Sequence, residues 1–442
     1  MLHILKHPLF SRLFAAQVVA LIGTGLLTVA LALLAYDLAG DRAGTVLGTA
    51  LTIKMVAYVG LSPVFAALFA HVPRKAVLVG ADLIRAAVAL ALPFIDAIWQ
   101  IYALIFVLQA ASASFTPAFQ ATIPDVLPDE TDYTNALSLS RLAYDLENLL
   151  SPTLAGLLLL VMSYNLLFVG TVAGFLMSAA LILSLRLPVH AATTQRPFRQ
   201  RLTRGVFIYL ATPRLRGLLA LNMAVAAVIA FVLVDTVVLV RGRFGGGEGE
   251  VALAMAAFGA GSMAAALALP KLLERLADRA VMMTGGIGLA LVGLAYAAVL
   301  SGEAQSWGLL LTVWTSLGLL NAAVMTPSGR LLRRSAHEED RPAIFTAQFA
   351  LSHACWLLAY PAAGWLGPWL GLEATLAVLA LVAGGAVMVA LWVWPAGGAD
   401  EIPHDHPNLP ADHPHLQHHG GTGRHSHPII IDDEHLHWPS RG

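Results

Sequence analysis

The sequence predicts an all-α membrane protein whose twelve transmembrane helices form two pseudo-symmetric six-helix bundles. Composition, recurring apolar runs and a likeness between the two halves of the chain carry this prediction. Hydrophobic residues make up 58% of the 442 residues and charged residues only 12%, whereas soluble domains contain about 25% charged residues. The net charge of −1 excludes a generally basic surface for nucleic acids, and the single cysteine excludes cysteine-based metal centres.

Apolar runs close to the roughly 20 residues that a helix needs to cross a bilayer recur along the chain. The N-terminal segment has no small-residue cleavage site, so we expect its apolar run to remain as a transmembrane helix. We place the twelve spans at 13–36, 45–70, 76–94, 99–123, 136–160, 165–185, 217–240, 251–272, 280–300, 306–327, 343–366 and 373–394.

The second half of the sequence repeats features of the first. Thr116-Pro117 ends the fourth span and Thr326-Pro327 ends the tenth. At nearly the same offset, a proline followed by a glycine relates the fifth span to the eleventh: Pro152 with Gly156, and Pro361 with Gly364. Such internal symmetry is typical of transporters whose halves arose by duplication.

A long basic stretch between the sixth and seventh spans divides the chain. Lysine and arginine collect in alternate loops and leave only Arg42, Arg241 and Arg243 on the opposite side, so we expect both termini to be cytoplasmic. We expect four regions: an N-terminal six-helix bundle (1–190), a cytoplasmic central loop (191–215), a C-terminal six-helix bundle (216–395) and a disordered histidine-rich cytoplasmic tail (396–442).

The segment Arg141–Pro152, with the sequence RLAYDLENLLSP, brings acids into the fifth span. A charge at the bilayer centre costs roughly 2.5–3.5 kcal/mol, so such residues face the protein interior and usually have a function. We predict an oxygen-donor site for a divalent cation, which would displace protons from the buried carboxylates. The alternative is that Asp145 pairs with Arg141 and fixes the helix end. The predicted site residues of this segment are Tyr144, Asp145, Glu147 and Asn148.

The tail is rich in histidine, mostly as His-x-His pairs with acids between them. Neutral imidazole is the commonest ligand for nickel, zinc and copper, so we predict that the tail binds metal ions in vitro. A solubilising low-complexity tail and a purification tag are the alternatives. The histidines concerned are His404, His406, His413, His415, His418, His419, His425, His427, His435 and His437.

Two motifs resemble those of a known family. Pro73-Arg74-Lys75 followed by Gly80–Arg85 resembles the loop between the second and third helices of major facilitator superfamily transporters, although Ala70-His71 stand where an acidic-basic pair is usual. Thr116–Glu130, with the sequence TPAFQATIPDVLPDE, resembles the siderophore- and drug-exporter branch of that superfamily. The resemblance covers roughly residues 5–394 and implies the major facilitator fold and an efflux activity.

Within that branch, the acidic segment and the histidine-rich tail resemble bacterial nickel-resistance exporters, which expel nickel and sometimes cobalt. In the superfamily the fifth and eleventh helices face each other across the central cavity. His353, near the symmetric equivalent of Tyr144, would then add a nitrogen ligand suited to nickel. Its alternative role is that of a structural histidine bonded to Gln348, Ser352 or a backbone carbonyl.

Lys54 is the remaining candidate, because it lies too deep in the second span for its amine to reach the interface easily. It is the counter-charge to a carboxylate, a cation that leaves when metal enters, or a member of a structural ion pair.

We therefore predict a secondary active exporter of nickel, with cobalt as a further candidate, in the bacterial inner membrane. It would work by proton antiport and alternating access. The alternatives are export of an organic molecule such as a siderophore or drug, and a metal-sensing membrane protein. The sequence has no metalloprotease, serine-hydrolase or phosphate-loop motif, so we do not expect an enzyme. We expect a monomer without a resident cofactor, whose partners are the metal ion and the bilayer.

Overall fold

The computed structural model describes residues 2–39, 43–69, 71–159, 162–187, 197–302, 306–394, 401–404, 425–433, 435 and 437–438. This part of the chain is almost entirely helical. Its α-helices are α1 (Pro8–Ala39), α2 (Ala43–Leu68), α3 (Arg74–Ala91), α4 (Ile98–Val126), α5 (Glu130–Leu159), α6 (Tyr164–Leu183), α7 (Phe198–Ala211), α8 (Pro213–Phe244), α9 (Glu248–Leu273), α10 (Asp278–Leu300), α11 (Trp307–Met325), α12 (Ser328–Arg334), α13 (Arg341–Leu370) and α14 (Leu372–Val393). The short strands β1 (Glu401–His404) and β2 (His425–Pro428) follow.

Twelve of these helices coincide with the twelve predicted spans, which confirms the predicted fold class. In the described part of the chain, ten helices are long and apolar enough to cross a membrane, and α2 adds the shorter apolar segment Thr52–Leu68. The acidic helix α5 is not among the ten. Helices suit this environment because every backbone N–H and C=O in lipid must find its partner within the segment.

The packing of the helices has an internal two-fold symmetry. In the N-terminal half α1 packs on α5 and α6, α2 packs on α4, and α3 packs on α4 and α6. The C-terminal half repeats this pattern: α8 packs on α13 and α14, α9 on α11, and α10 on α11 and α14. The duplicated halves predicted from the proline and glycine positions are therefore present in the packing.

Two symmetry-related helix pairs join the halves. Helix α2 of the N-terminal half packs on α13 of the C-terminal half, and α5 packs on α9. We call these contacts the α2–α13 seam and the α5–α9 seam. Residues along the seams belong to both halves and are therefore placed to respond when one half moves against the other.

Ion pairs join the two halves at one end of the bundles. We call it the basic end, after the arginines that gather there: Arg74, Arg330, Arg334 and Arg341. Arg341 at the start of α13 pairs with Asp125 at the end of α4, with 3.4 Å between Nη1 and Oδ1. Arg330 at α12 reaches Glu130 at the start of α5, with 2.8 Å between Nη2 and Oε1. The halves are thus closed together at this end, which the sequence predicts to be cytoplasmic.

Helix α7 occupies most of the segment predicted as a central loop. It packs on α2, α8 and α13, and its Ile208 and Tyr209 are fully buried. The helix is amphipathic, because the arginines of its first turns alternate with this apolar face. A short amphipathic helix lacks the long apolar run by which the spans are recognised, so the sequence predicts a loop in its place.

The described part of the tail is ordered, whereas the sequence predicts disorder across 396–442. Strand β1 pairs with β2 in antiparallel register, and Ile429 and Ile431 are 1% and 0% exposed. Ile431 belongs to the same apolar cluster as Ile208 of α7 and Ile344 of α13. These isoleucines supply apolar burial, which explains the order of this part. Most of the tail lies outside the described residues, where the prediction of disorder is not tested.

Acidic residues next to the isoleucines hold the tail against the basic end. Asp433 Oδ1 lies 2.9 Å from Arg204 Nη1 of α7, and Arg204 also pairs with Asp340 at 2.8 Å. Asp432 Oδ2 lies 3.3 Å from His337 Nε2, in the loop between α12 and α13. The tail is therefore attached to the C-terminal half by both apolar and ionic contacts.

Candidate functional site

A cluster of three rings and one amine lies in the α2–α13 seam. Lys54 and Tyr58 are one turn apart on α2, and Phe349 and His353 are one turn apart on α13, so each pair shares a helix face. The ring centroids of Tyr58 lie 4.7 Å from Phe349 and 4.8 Å from His353, and those of Phe349 and His353 are 4.2 Å apart. The cluster thus joins the two halves through aromatic contacts.

His353 has a defined hydrogen bond. Its Nδ1 lies 2.7 Å from the backbone carbonyl oxygen of Phe349. A carbonyl can only accept, so Nδ1 carries the proton and Nε2 of the neutral ring keeps its lone pair. Among the described residues Nε2 has no hydrogen-bond partner. The imidazole can therefore accept a hydrogen bond from a bound molecule. Its hydrogen bond to a backbone carbonyl is the kind expected of a structural histidine, the alternative role given above for His353.

Lys54 is half-buried in the seam. Its Nζ lies 5.6 Å from the centroid of the Tyr58 ring, a cation–π distance. Within the described part of the chain, no carboxylate lies within ion-pair distance of this amine. The predicted role of Lys54 as the partner of a carboxylate therefore finds no support among the described residues.

The predicted acidic site, in the segment Arg141–Pro152, lies on α5. Asp145, Glu147 and Asn148 fall within the helix, and their side chains lie outside the described residues. Tyr144 is half-buried. Because α5 packs on α9 while α13 packs on α2, the described contacts of His353 are with Tyr58 and Phe349, and not with the acidic helix.

Only two of the tail histidines have described side chains. His435 Nδ1 lies 3.0 Å from Asp432 Oδ1, and His437 is exposed. His404, His425 and His427 lie on the strands with side chains outside the described part; His406, His413, His415, His418 and His419 lie outside it altogether. In the described part of the chain, no group of three or more His, Cys, Asp or Glu side chains is placed to hold a metal ion.

Asp235 on α8 is a buried acid that is not among the predicted site residues. It is 4% exposed, and its Oδ2 has no hydrogen-bond partner among the described residues. Gly367 of α13 lies beside it, since a Cβ at Gly367 would be in ordinary van der Waals contact with Asp235 Oδ1, at 3.5 Å. The depth of Asp235 is the signal available in the sequence: nine residues, or about 13 Å of helix, separate it from the end of α8 at Phe244.

An apolar groove lies on the other side of α2. It has a volume of about 800 Å³ and runs between α2 and α7, lined by Gly60, Pro63, Val64, Leu202, Thr203, Val206, Phe207, Leu210 and Ala211. Gly60 follows Tyr58 by two residues, which is a rotation of about 200° around the helix. The groove therefore faces away from the ring cluster and is not part of the seam.

The family model for the Major Facilitator Superfamily matches residues 13–245 and 218–416. Among curated proteins, macrolide efflux protein A of Streptococcus pyogenes is 26% identical over 184 residues, 40% of this chain. The protein of the same name in Enterococcus faecalis is 26% identical over 152 residues, 32% of this chain. The chain spans about half the length of these relatives, 45% and 47% respectively. These relatives are named for macrolide efflux and not for nickel, so the resemblance to nickel-resistance exporters is not supported.

Solved structures share the fold. The human organic anion transporter TETRAN superposes with a TM-score of 0.68 at 13% identity, covering 87% of this chain and 99% of that one. A bacterial homologue of the iron transporter ferroportin, in an outward-facing state, superposes with a TM-score of 0.71 at 15% identity, covering 87% and 98%. At these identities the likeness concerns the fold alone. Two family matches that together span both bundles, and the symmetric packing of those bundles, assign this chain to the Major Facilitator Superfamily.

Proposed function

We propose that this protein is a secondary active efflux transporter of organic molecules that carry ring systems. The observation that carries the proposal is the cluster of Tyr58, Phe349 and His353 in the α2–α13 seam. Stacked rings with a few polar atoms are the lining that organic ligands prefer. The relatives named as macrolide efflux proteins support an organic substrate over a metal ion.

The transport cycle would alternate the halves around the seams. The basic end is closed by the pairs Arg341–Asp125 and Arg330–Glu130. These pairs must separate before a molecule can enter from that end. The molecule then contacts the rings of both α2 and α13, and renewed pairing at the basic end directs it to the opposite side. Such rocking of two bundles around a site between them is the usual mechanism of transporters with repeated halves.

Proton antiport would drive the export. Acids inside transmembrane segments are typical proton carriers of secondary transporters. Asp235 supports this role because it is buried and its Oδ2 is unpaired within the described part of the chain. Asp145 and Glu147 of the acidic segment stay predicted carriers, since their side chains are not described.

Export of nickel is the second candidate. It is favoured by the acids of Arg141–Pro152 and by the histidines of the tail. Carboxylates could bind the ion from α5, and imidazoles could collect it from solution. The described residues give this reading no assembled metal site.

Transport into inside-out membrane vesicles separates the two candidates. The vesicles are energised by an acidic interior, and uptake of a fluorescent xanthene dye and of nickel is measured separately. We expect dye to accumulate, and a protonophore to abolish the accumulation. The double variant Tyr58→Ala, Phe349→Ala should lose it, whereas Phe94→Ala, at a position 82% exposed, should not. Accumulation of nickel without dye would refute the proposal and favour the metal.

A further inference from the structure

We infer that the α2–α13 seam recognises an anionic group on the transported molecule, and that Lys54 is the residue that pairs with it. This inference rests on the proposed function and names the class of substrate: an organic anion with a ring system. Four features of the seam lead to it, namely the depth of Lys54, the acids of the neighbouring helices, the position of the acidic segment and the donors of the ring cluster.

Lys54 lies in the interior of α2, where a charged side chain is energetically unfavourable. Lys54 lies eleven residues after Ala43 and fourteen before Leu68, the ends of α2. These spacings correspond to about 16 Å and about 21 Å of helix. The lysine side chain is shorter than either distance, so its amine does not extend past an end of α2. A protonated amine at this depth needs a compensating negative charge or a polar surrounding.

The neighbouring helices offer no such negative charge. Helix α2 packs on α1, α4, α7 and α13, and α2, α7 and α13 contain no aspartate or glutamate. The acids on the other two are Asp37 of α1 and Asp125 of α4, each near a helix end. Asp37 bonds to Tyr164, and Asp125 pairs with Arg74 and Arg341.

The helix that contains the acidic segment takes part in a different seam. This helix, α5, packs on α9 and α1, whereas α2 packs on α13. The two seams are separate contacts that the internal symmetry relates to each other. Within the described residues, the contact nearest to a counter-charge is therefore the face of the Tyr58 ring, 5.6 Å from Nζ. A cation–π contact offsets only part of the desolvation cost of a half-buried ammonium.

The donors of the cluster fit an anion with an aromatic body. The ammonium of Lys54 offers three N–H donors to a carboxylate, sulfonate or phenolate. The rings of Tyr58 and Phe349 offer faces on which an aromatic body can stack. Nε2 of His353 accepts a hydrogen bond, so a hydroxyl or amide N–H on the same molecule would complete the contacts.

Two dyes that share a scaffold and differ in charge test the inference. Fluorescein is an anionic xanthene and rhodamine 123 is a cationic one. Their uptake is measured in inside-out vesicles that contain the parent or a variant at Lys54. We expect the parent to accumulate fluorescein and Lys54→Arg to retain this uptake. Lys54→Gln should lower it about tenfold or more, because the cation that pairs with the anionic group is lost.

Charge reversal gives the sharpest result. We expect Lys54→Glu to lose fluorescein uptake and to gain rhodamine uptake. The control is Lys271→Glu, the same charge reversal at an exposed lysine of α9, which should leave the preference for fluorescein unchanged.

The outcomes distinguish this inference from the proposed function. If the parent accumulates rhodamine in preference to fluorescein, or if Lys54→Gln exports fluorescein as well as the parent, the inference is wrong and organic efflux stands. If the parent accumulates neither dye, both fail. If Lys54→Glu loses fluorescein and gains rhodamine while Lys271→Glu does not, both are supported.

Discussion

Arg341, the first residue of α13, lies 3.4 Å from Asp125 near the end of α4 and so joins the C-terminal half to the N-terminal half. Asp125 is 4% exposed in its side chain and also pairs with Arg74 of its own half. One buried carboxylate therefore balances the positive charges of two arginines, one from each half. If it is lost, Arg74 loses its carboxylate partner and Arg341 keeps only the exposed Glu338 of its own half.

Asp125→Asn should open the basic end. Removing one partner of a buried ion pair costs about 3–5 kcal/mol, so we expect the closed state to lose at least tenfold in population relative to the open one. The measurement is the distance between spin labels at His71 and Glu339, both exposed, in a background without Cys355. Longer distances should gain population in the variant; an unchanged distribution would show that this pair does not hold the halves together.

Ile431→Asp should release the tail. Ile431 is fully buried among residues of α7 and α13, and a buried charge without a partner is strongly unfavourable. We expect a protease to cut the tail much faster in this variant than in the parent. Ile430→Asp is the matched control, since Ile430 is the neighbouring residue and its side chain is only half-buried. Equal cutting rates for the two variants would argue against the docked position of the tail.

The tail should hold more tightly in mild acid. The hydrogen bond to Asp432 raises the pKa of His337 above 6.5, against the opposing effect of burial. Burial would raise the pKa of Asp432, but hydrogen bonds from His337 and His435 outweigh it and hold this pKa well below 3.8. The contribution of His337 to the free energy of tail docking is complete below pH 6.5, and it is lost as the pH rises through the raised pKa of His337. The contribution of Asp432 to the free energy of tail docking is complete above pH 3.8, and it is lost only as the pH falls through the lowered pKa of Asp432.

Protease protection of the tail should therefore be greater at about pH 6 than at about pH 8. Arg204, Asp340 and Asp433 also face this contact, and the nearby Glu339 and Asp340 favour the protonated imidazole. His337→Gln should remove most of the pH dependence. Equal protection of the parent at both pH values would contradict the assignment to His337.

Asp235→Asn should uncouple export from the proton gradient. An amide keeps the size of the carboxylic acid but cannot exchange a proton. We expect the variant to lose accumulation driven by a pH gradient and to keep exchange of labelled for unlabelled dye without a gradient. Asp96→Asn, at an exposed position, should behave as the parent. Full gradient-driven accumulation by Asp235→Asn would remove this acid from the mechanism.

Gly261→Ala should destabilise the C-terminal half. A Cβ at Gly261 of α9 would overlap the backbone carbonyl oxygen of Thr315 on α11, so the helices would have to move apart. Overpacking of this kind costs about 1–3 kcal/mol. Gly259→Ala is the control, because a Cβ there meets nothing within 4 Å and alanine favours a helix. Thermal unfolding in detergent should show a lower midpoint for Gly261→Ala only.

Apolar length and charge made the fold predictable from the sequence, because a helix that crosses a bilayer needs a long apolar run. Helix α7 was not predicted by this criterion, because Ile208 and Tyr209 form an apolar face without a long apolar run. The contact of Tyr58 with Phe349 and His353 could not be predicted for another reason. Tyr58 lies about 290 positions from the other two residues, and the sequence of neither helix indicates that α2 packs on α13. Lys54 and His353 were recognisable one at a time, but their shared site was not.

Binding of a fluorescent xanthene dye to the purified protein tests the central claim most directly. The fluorescence anisotropy of the dye is titrated with the parent, Phe349→Ala and Phe94→Ala. If organic molecules bind in the α2–α13 seam, Phe349→Ala should bind about tenfold or more weakly, and Phe94→Ala should bind as the parent does. Binding by Phe349→Ala with unchanged affinity would contradict the assignment of the seam as the transport site.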